Sequence, residues 1–247
     1  MLIAAEAWSV IFTSSLLIRD GCYQGGRVGL GAVHTRVAGV LLAAGAGSRF
    51  GGPKALVELD GQTLAERGVT MLRTGGADPI LLVTGAAPVK LAGTHAVYNE
   101  QWRTGMGSSL RAALRALTGA EGAQDRPAAT LAADVGAALV ALADQPLIGT
   151  DAVARLIAAY RGGAGVAVAC YDGRPRNPVL LAREHWPEVI AAATGDQGAR
   201  AFLRARPELV TLVECGDTGS PDDIDTAADL DRVAARYRGS KTPLAPE

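Results

Sequence analysis

The segment Val37–Lys54 constrains this 247-residue chain more than any other. Val37 to Leu42 is an unbroken apolar run, the pattern of a strand buried on both faces. The loop Ala43-Ala44-Gly45-Ala46-Gly47-Ser48-Arg49-Phe50-Gly51-Gly52-Pro53-Lys54 follows at once. Small residues from Leu42 onward, at Ala43, Ala44, Gly45 and Gly47, let a ligand approach the backbone, and successive N–H groups in such a loop make a concavity for anions. Arg49 and Lys54 add two cations suited to a polyphosphate. A P-loop requires Lys after its second glycine, yet Pro53 follows Gly52 at that spacing. The dinucleotide fingerprint fits at Gly45 and Gly47 but finds Phe50 at its last place, and Gly51-Gly52-Pro53 break any helix starting there. The loop is therefore expected to be long and to wrap its ligand.

Downstream, strand and helix patterns alternate. Strands are expected over Val37–Leu42, Pro79–Thr84, Ala96–Tyr98, Gly136–Ala143, Gly165–Tyr171, Asn177–Leu181 and Leu209–Val213. Helices are expected over Thr63–Thr74, Met106–Leu117, Thr150–Tyr160 (capped by Thr150), Arg183–Ala193, Gln197–Arg206 and Ala227–Tyr237. This order predicts an α/β fold, a three-layer, mainly parallel, doubly wound sheet with helices on both faces. Ligands in such sheets sit beyond the carboxyl ends of the strands, where the glycine loop emerges. Gly119–Ala133 reads as a variable surface connection.

Apolar residues make up 49% of the chain, enough for a sizeable core, and the net charge of −1 argues against a nucleic-acid or membrane-surface binder. Cys22, Cys170 and Cys215 are scattered, which suggests a reducing, cytoplasmic setting. Residues 1–35 read as a loosely attached extension. Their apolar stretch, Ala7 to Ile18, has no basic start for a secretory signal and is too short to span a membrane. Residues 36–238 are expected to form one domain, and 239–247 a loose tail.

Two acidic segments stand out. Asp144 follows the apolar run ending at Ala143, on the rim of the glycine loop. It is either a cap for the next helix or a hard oxygen ligand for Mg²⁺, which takes one or two carboxylates plus substrate phosphates. Asp223 and Asp225 alternate around Ile224, so an extended backbone turns both to one side; alternatively Asp225 or Thr226 caps the last helix. Gly105-Met106-Gly107-Ser108-Ser109 reads as a helix N-terminus with exposed N–H groups and hydroxyls.

The stretch Leu42-Ala43-Ala44-Gly45-Ala46-Gly47-Ser48-Arg49…Pro53-Lys54 resembles the signature of the nucleotidyltransferases, most of all the MobA-like branch containing molybdenum cofactor cytidylyltransferases. The resemblance runs from about residue 36 to residue 236. It implies that Leu42, Ala43, Ala44, Gly45, Gly47, Ser48, Arg49 and Lys54 hold a nucleoside triphosphate, with Gly85 near the base and Ser109, beside Ser108, on the nucleotide. It also implies Mg²⁺ on Asp144 and Asp225, with Asp223 as the substitute. Asp223-Ile224-Asp225-Thr226-Ala227-Ala228-Asp229-Leu230 is similar to the family's closing motif, though Ala227 and Ala228 stand where Pro and Glu are usual, which leaves the helix start in question. Gly195-Asp196-Gln197-Gly198-Ala199-Arg200 and Arg176-Asn177-Pro178 resemble acceptor segments of the molybdopterin branch, which implies that Asn177, Asp196, Gly198 and Arg200 bind the acceptor.

The implied reaction moves CMP from CTP to the phosphate of the molybdenum–molybdopterin cofactor and releases pyrophosphate, with Arg49, Lys54 and Asp144 in catalysis. Ala44 favours CTP, since guanylyl enzymes usually carry Gly there. The alternatives are a guanylyltransferase using GTP, a cytidylyltransferase for another phosphorylated metabolite, a non-catalytic nucleotide-binding module that helps insert cofactor into a molybdoenzyme partner, and a dinucleotide-dependent oxidoreductase.

Overall fold

A computed structural model describes residues 36–119 and 134–241. The extension 1–35, most of the connection expected at 119–133, and residues 242–247 lie outside the described residues. The chain runs β1 (Arg36–Leu42), β2 (Glu58–Leu59), β3 (Gln62–Thr63), α1 (Leu64–Thr74), β4 (Ile80–Thr84), β5 (His95–Tyr98), α2 (Met106–Thr118), β6 (Val135–Leu142), α3 (Thr150–Arg161), β7 (Val166–Tyr171), β8 (Arg174–Ala182), α4 (Trp186–Ala192), α5 (Arg200–Ala205), β9 (Val210–Glu214) and α6 (Ala227–Lys241).

Seven strands form one sheet in the order β5-β4-β1-β6-β8-β7-β9. Only β8 opposes the others, so the expected mainly parallel sheet is observed. Side chains alternate across β1 and build two cores. Val37 and Leu41 face α1 and α3, which contribute Val69, Leu72, Val153 and Leu156. Ala38, Val40 and Leu42 face α2, α4 and α5, which contribute Leu110, Leu114, Trp186 and Phe202. A third cluster joins Leu59 and Leu64 to Ile224 and Val233, and so docks the closing segment and α6 beside the hairpin.

Several expectations are corrected. Thr150 does not cap α3; it is the first helical residue, Gly149 precedes it, and no side chain caps that end. The segment 183–193 starts as a tight 3-10 turn, and only Trp186–Ala192 is α-helix. Within 197–206, the helix is confined to Arg200–Ala205, because Gly198 takes a positive φ that interrupts it. The hairpin β2–β3 was not foreseen, although its turn, Asp60-Gly61, is the dipeptide that favours such turns: both residues have positive φ, at 54° and 76°. The last helix continues to Lys241, past the expected tail boundary. Among the described residues no helix is long and apolar enough to cross a membrane.

Candidate active site

β1 lies between β4 and β6, and both the glycine loop and Asp144 leave the sheet at this central point. Ala143 N–H donates to Leu42 O at 3.1 Å, and Ala86 N–H to Ala44 O at 3.0 Å, which ties the loop to both neighbouring strand exits. The loop then curls around one carbonyl: the N–H groups of Phe50, Gly51 and Gly52 all donate to Gly47 O. Gly47 has φ +60°, and a Cβ there would lie 1.9 Å from Gly52 O, so only glycine fits. Among the described residues, no protein acceptor takes the N–H groups of Gly45 through Arg49, which leaves them free for an anion.

A cavity of about 350 Å³ opens over this loop. Leu42, Ala43, Ala44, Gly45, Gly47, Ser48, Lys54, Ser109 and Asp144, all residues singled out in the sequence, line it. Three expected contacts are placed differently. Arg49 is exposed at the rim, its guanidinium 3.9 Å from Asp225. Gly85 lies behind Trp102, which lines the cavity in its place. Ser108 is buried, with its hydroxyl turned to the carbonyls of Gln101 and Gly105 while it accepts from Asn99 Nδ2, so it braces the turn before α2. Trp102, Arg103 and Met106 also line the cavity and were not singled out as binding residues. Met106 lay inside the Gly105–Ser109 segment, and Trp102 and Arg103 lay just before it, which was the available signal.

Lys54 is the centre of the site. Its Nζ donates to Asp144 Oδ2 at 2.5 Å and to Asp225 Oδ1 at 2.9 Å. Partial burial alone would lower the Lys54 pKa, but Asp144 first and then Asp225 reverse the sign, and the pKa is raised above 10.5. Asp225 reaches this place through three local arrangements. Ile224 is buried, and its N–H donates to Asp144 O at 2.9 Å. Gln145 Nε2 donates to Pro221 O at 3.1 Å. Thr226 and Asp229 form a reciprocal cap at α6: the Thr226 N–H donates to Asp229 Oδ2, and the Asp229 N–H donates back to Thr226 Oγ1. That cap starts the helix without the usual Pro and Glu and leaves the Asp225 carboxylate for Lys54.

A second, wider pocket of about 840 Å³ adjoins the first across Asp144 and Asp225. Asn177, Gly198 and Arg200 line it, together with Arg174, Arg176, Arg236, Gln145 and Tyr171. Asp196 does not: its Oδ1 accepts from Met106 N–H at 3.3 Å, on the wall of the smaller cavity. Asp223 opens to the wide pocket, while the surrounding walls, then Asp144 and Asp225, lift its carboxyl to about 6. Burial pushes the Tyr171 phenol up to about 12, which keeps it neutral.

Two carboxylates that reach one ammonium can share one divalent cation. Mg²⁺ suits such a pair when phosphate oxygens complete its shell. Among the described residues no group of three or more His, Cys, Asp or Glu is arranged to hold a metal; Asp144 and Asp225, which meet at the Lys54 ammonium, are the carboxylate pair that would fit, and Asp223 lines the wide pocket beside Asp225.

The model of the MobA-like NTP transferase domain matches residues 39–210. The chain is 36% identical over 216 residues to nicotine blue oxidoreductase of Paenarthrobacter nicotinovorans, covering 80% of this chain and 96% of that protein. It is 32% identical over 147 residues to the probable molybdenum cofactor guanylyltransferase of Opitutus terrae, covering 58% of this chain and 65% of that one. The manganese complex of Rv0371C from Mycobacterium tuberculosis H37Rv superposes with a TM-score of 0.63 at 25% identity, over 81% of this chain and 99% of that one. With its glycine loop, parallel sheet and acidic strand exits in place, the chain belongs to the MobA-like NTP transferase family, and it is a nucleotidyltransferase by fold and by family.

Proposed function

We propose that this enzyme transfers CMP from CTP to the terminal phosphate of the molybdenum–molybdopterin cofactor and releases pyrophosphate. The observation that carries this reading is the Lys54 ammonium, hydrogen-bonded to both Asp144 and Asp225 where the two pockets meet. The triphosphate lies on the free amides of the glycine loop, and the acceptor fills the arginine-lined pocket. An acceptor phosphate oxygen attacks the α-phosphorus in line; the new P–O bond forms as the bond to the bridging oxygen breaks, and pyrophosphate carries away the electron pair. Lys54 offsets the negative charge that builds on the leaving oxygens, and Arg49, at the rim beside Asp225, adds positive charge at the mouth of the site. One preorganised donor of this kind is worth about 3–4 kcal/mol of barrier. Mg²⁺ held by Asp144 and Asp225 would neutralise phosphate charge. A cytoplasmic setting, where triphosphates and free thiols coexist, fits this chemistry.

Ala44 supports CTP, whereas the relative named molybdenum cofactor guanylyltransferase supports GTP. The relative named nicotine blue oxidoreductase supports a different reading, in which the wide pocket holds a molecule to be reduced. One experiment separates them: purified protein, Mg²⁺ and molybdopterin cofactor are incubated with each NTP, and separately with NAD(P)H. The transferase reading expects pyrophosphate and a cofactor product heavier by one CMP unit, with CTP alone. NAD(P)H oxidation without pyrophosphate would replace it with the redox reading.

A further inference from the structure

Among the described residues, Trp102 is the one large aromatic side chain on the wall of the smaller cavity. It stands at the Ala44 end of the wall: a Cβ added to Gly85 would lie 2.6 Å from Trp102 Cβ and 2.9 Å from Ala44 O, and Asn99 bonds both the Trp102 N–H and the Ser109 hydroxyl. If the triphosphate occupies the glycine loop, this end receives the nucleobase. The assignment of this end to the base rests on the nucleotide-transfer reading proposed above.

The indole is fixed from two sides. Its root sits on Gly85 at the exit of β4, where an added Cβ would lie 2.6 Å from Trp102 Cβ and 2.7 Å from Cγ. The Arg103 guanidinium stacks over the ring at 4.3 Å from its centroid. The backbone beneath is pinned as well, since Trp102 N–H donates to Asn99 O and Gly105 N–H to Trp102 O. A side chain held in this way cannot retreat behind β4 to make room for a larger ligand.

Ser109 adds a directional contact beside it. Asn99 Nδ2 donates to Ser109 Oγ at 3.0 Å, which leaves the Ser109 hydroxyl proton free to point into the cavity. A carbonyl oxygen on a one-ring base accepts such a proton, and the O2 carbonyl is common to cytosine and uracil.

We propose that Trp102, seated on Gly85, is the size filter of the nucleobase site: it admits a pyrimidine and excludes a purine. The residue sets the class of base, and cytosine and uracil are separated by other contacts.

The test is nucleotide binding by calorimetry with CTP, UTP, GTP and ATP in Mg²⁺, on the wild type, Trp102→Ala and Trp102→Leu. The wild type is expected to bind the pyrimidines at least about tenfold more tightly than the purines, the discrimination that steric misfit in a pocket supplies. Both variants are expected to close that gap by a gain in GTP and ATP affinity, with the leucine variant keeping an apolar contact to Gly85 should alanine unsettle the turn. Equal binding of purines and pyrimidines by the wild type, or an unchanged ratio in a folded variant, would overturn the role of Trp102 and leave the transferase reading standing. No triphosphate binding by the wild type would overturn both.

Discussion

At the scale of single residues the site depends on electrostatics set by a few atoms. Lys54 contacts two carboxylates that come from segments 81 residues apart in sequence, Asp144 and Asp225. Replacing Lys54 by Ala leaves those carboxylates facing each other; replacing Asp144 removes the carboxylate proposed as metal donor at the sheet exit. Each substitution is expected to lower pyrophosphate release by orders of magnitude, since the loss of one preorganised charge costs about 3–4 kcal/mol of barrier. Circular dichroism should show the fold retained, because neither side chain belongs to an apolar cluster. Turnover at the wild-type level in both variants would remove the triad from the mechanism. These residues were legible in the sequence because Asp144 follows a recognisable strand, Asp225 precedes a recognisable helix and Lys54 closes the glycine loop. Arg49 and Ser108 show where that legibility stopped: a motif position gives residue type, whereas one side chain turns to solvent and the other to local carbonyls.

Among the elements, α1 is the most completely specified. Thr63 and Glu66 form a reciprocal cap, with Glu66 N–H donating to Thr63 Oγ1 and Thr63 N–H donating to Glu66 Oε2. Thr63→Ala is expected to cost about 1 kcal/mol in denaturant unfolding without changing turnover. The backbone and hydroxyl bonds from Thr63 hold the Glu66 carboxyl below its usual value of 4.5. A lowered folded-state pKa contributes stability that is present above the unfolded pKa and is lost as pH falls through the folded one. Glu66→Gln should therefore flatten the acid limb of the stability profile below about pH 4.5. At the other end of α1 the helix touches α3 so closely that a Cβ on Gly75 would stand 2.4 Å from Val153 Cβ and 2.9 Å from Thr150 O. Gly75→Ala should lower stability by about 1–3 kcal/mol through overpacking, measured as a shift in unfolding midpoint. The cap moves the helix start one residue past the expected Thr63, and the crowding at Gly75 depends on the distance between two helices that lie far apart in the chain.

Across the whole molecule, the central strand β1 separates two apolar cores, and the Lys54, Asp144 and Asp225 side chains of the candidate site lie at its exit outside both. Metal removal should therefore act on function and not on folding. Chelation with EDTA is expected to abolish turnover while the thermal midpoint moves by no more than a few degrees, and added Mg²⁺ or Mn²⁺ should restore activity. A collapse of the midpoint under EDTA would mean that the cation holds the closing segment in place, a task assigned here to Ile224, Gln145 and the Thr226–Asp229 cap.

The sequence by itself determined the alternation of strands and helices, the parallel character of the sheet and the long, small-residue course of the glycine loop, because these follow from local periodicity and from residues whose backbone has few uses. Tertiary structure decided the rest. Burial of Ile224 in a core shared with Leu59 and Leu64 carries Asp225 to Lys54, and the close seating of Trp102 on Gly85 replaces a glycine by an indole on the cavity wall. Asp196 likewise went to the α2 N-terminus, away from the wide pocket. Packing between segments distant in the chain fixes such placements, and no window of neighbouring residues contains that information.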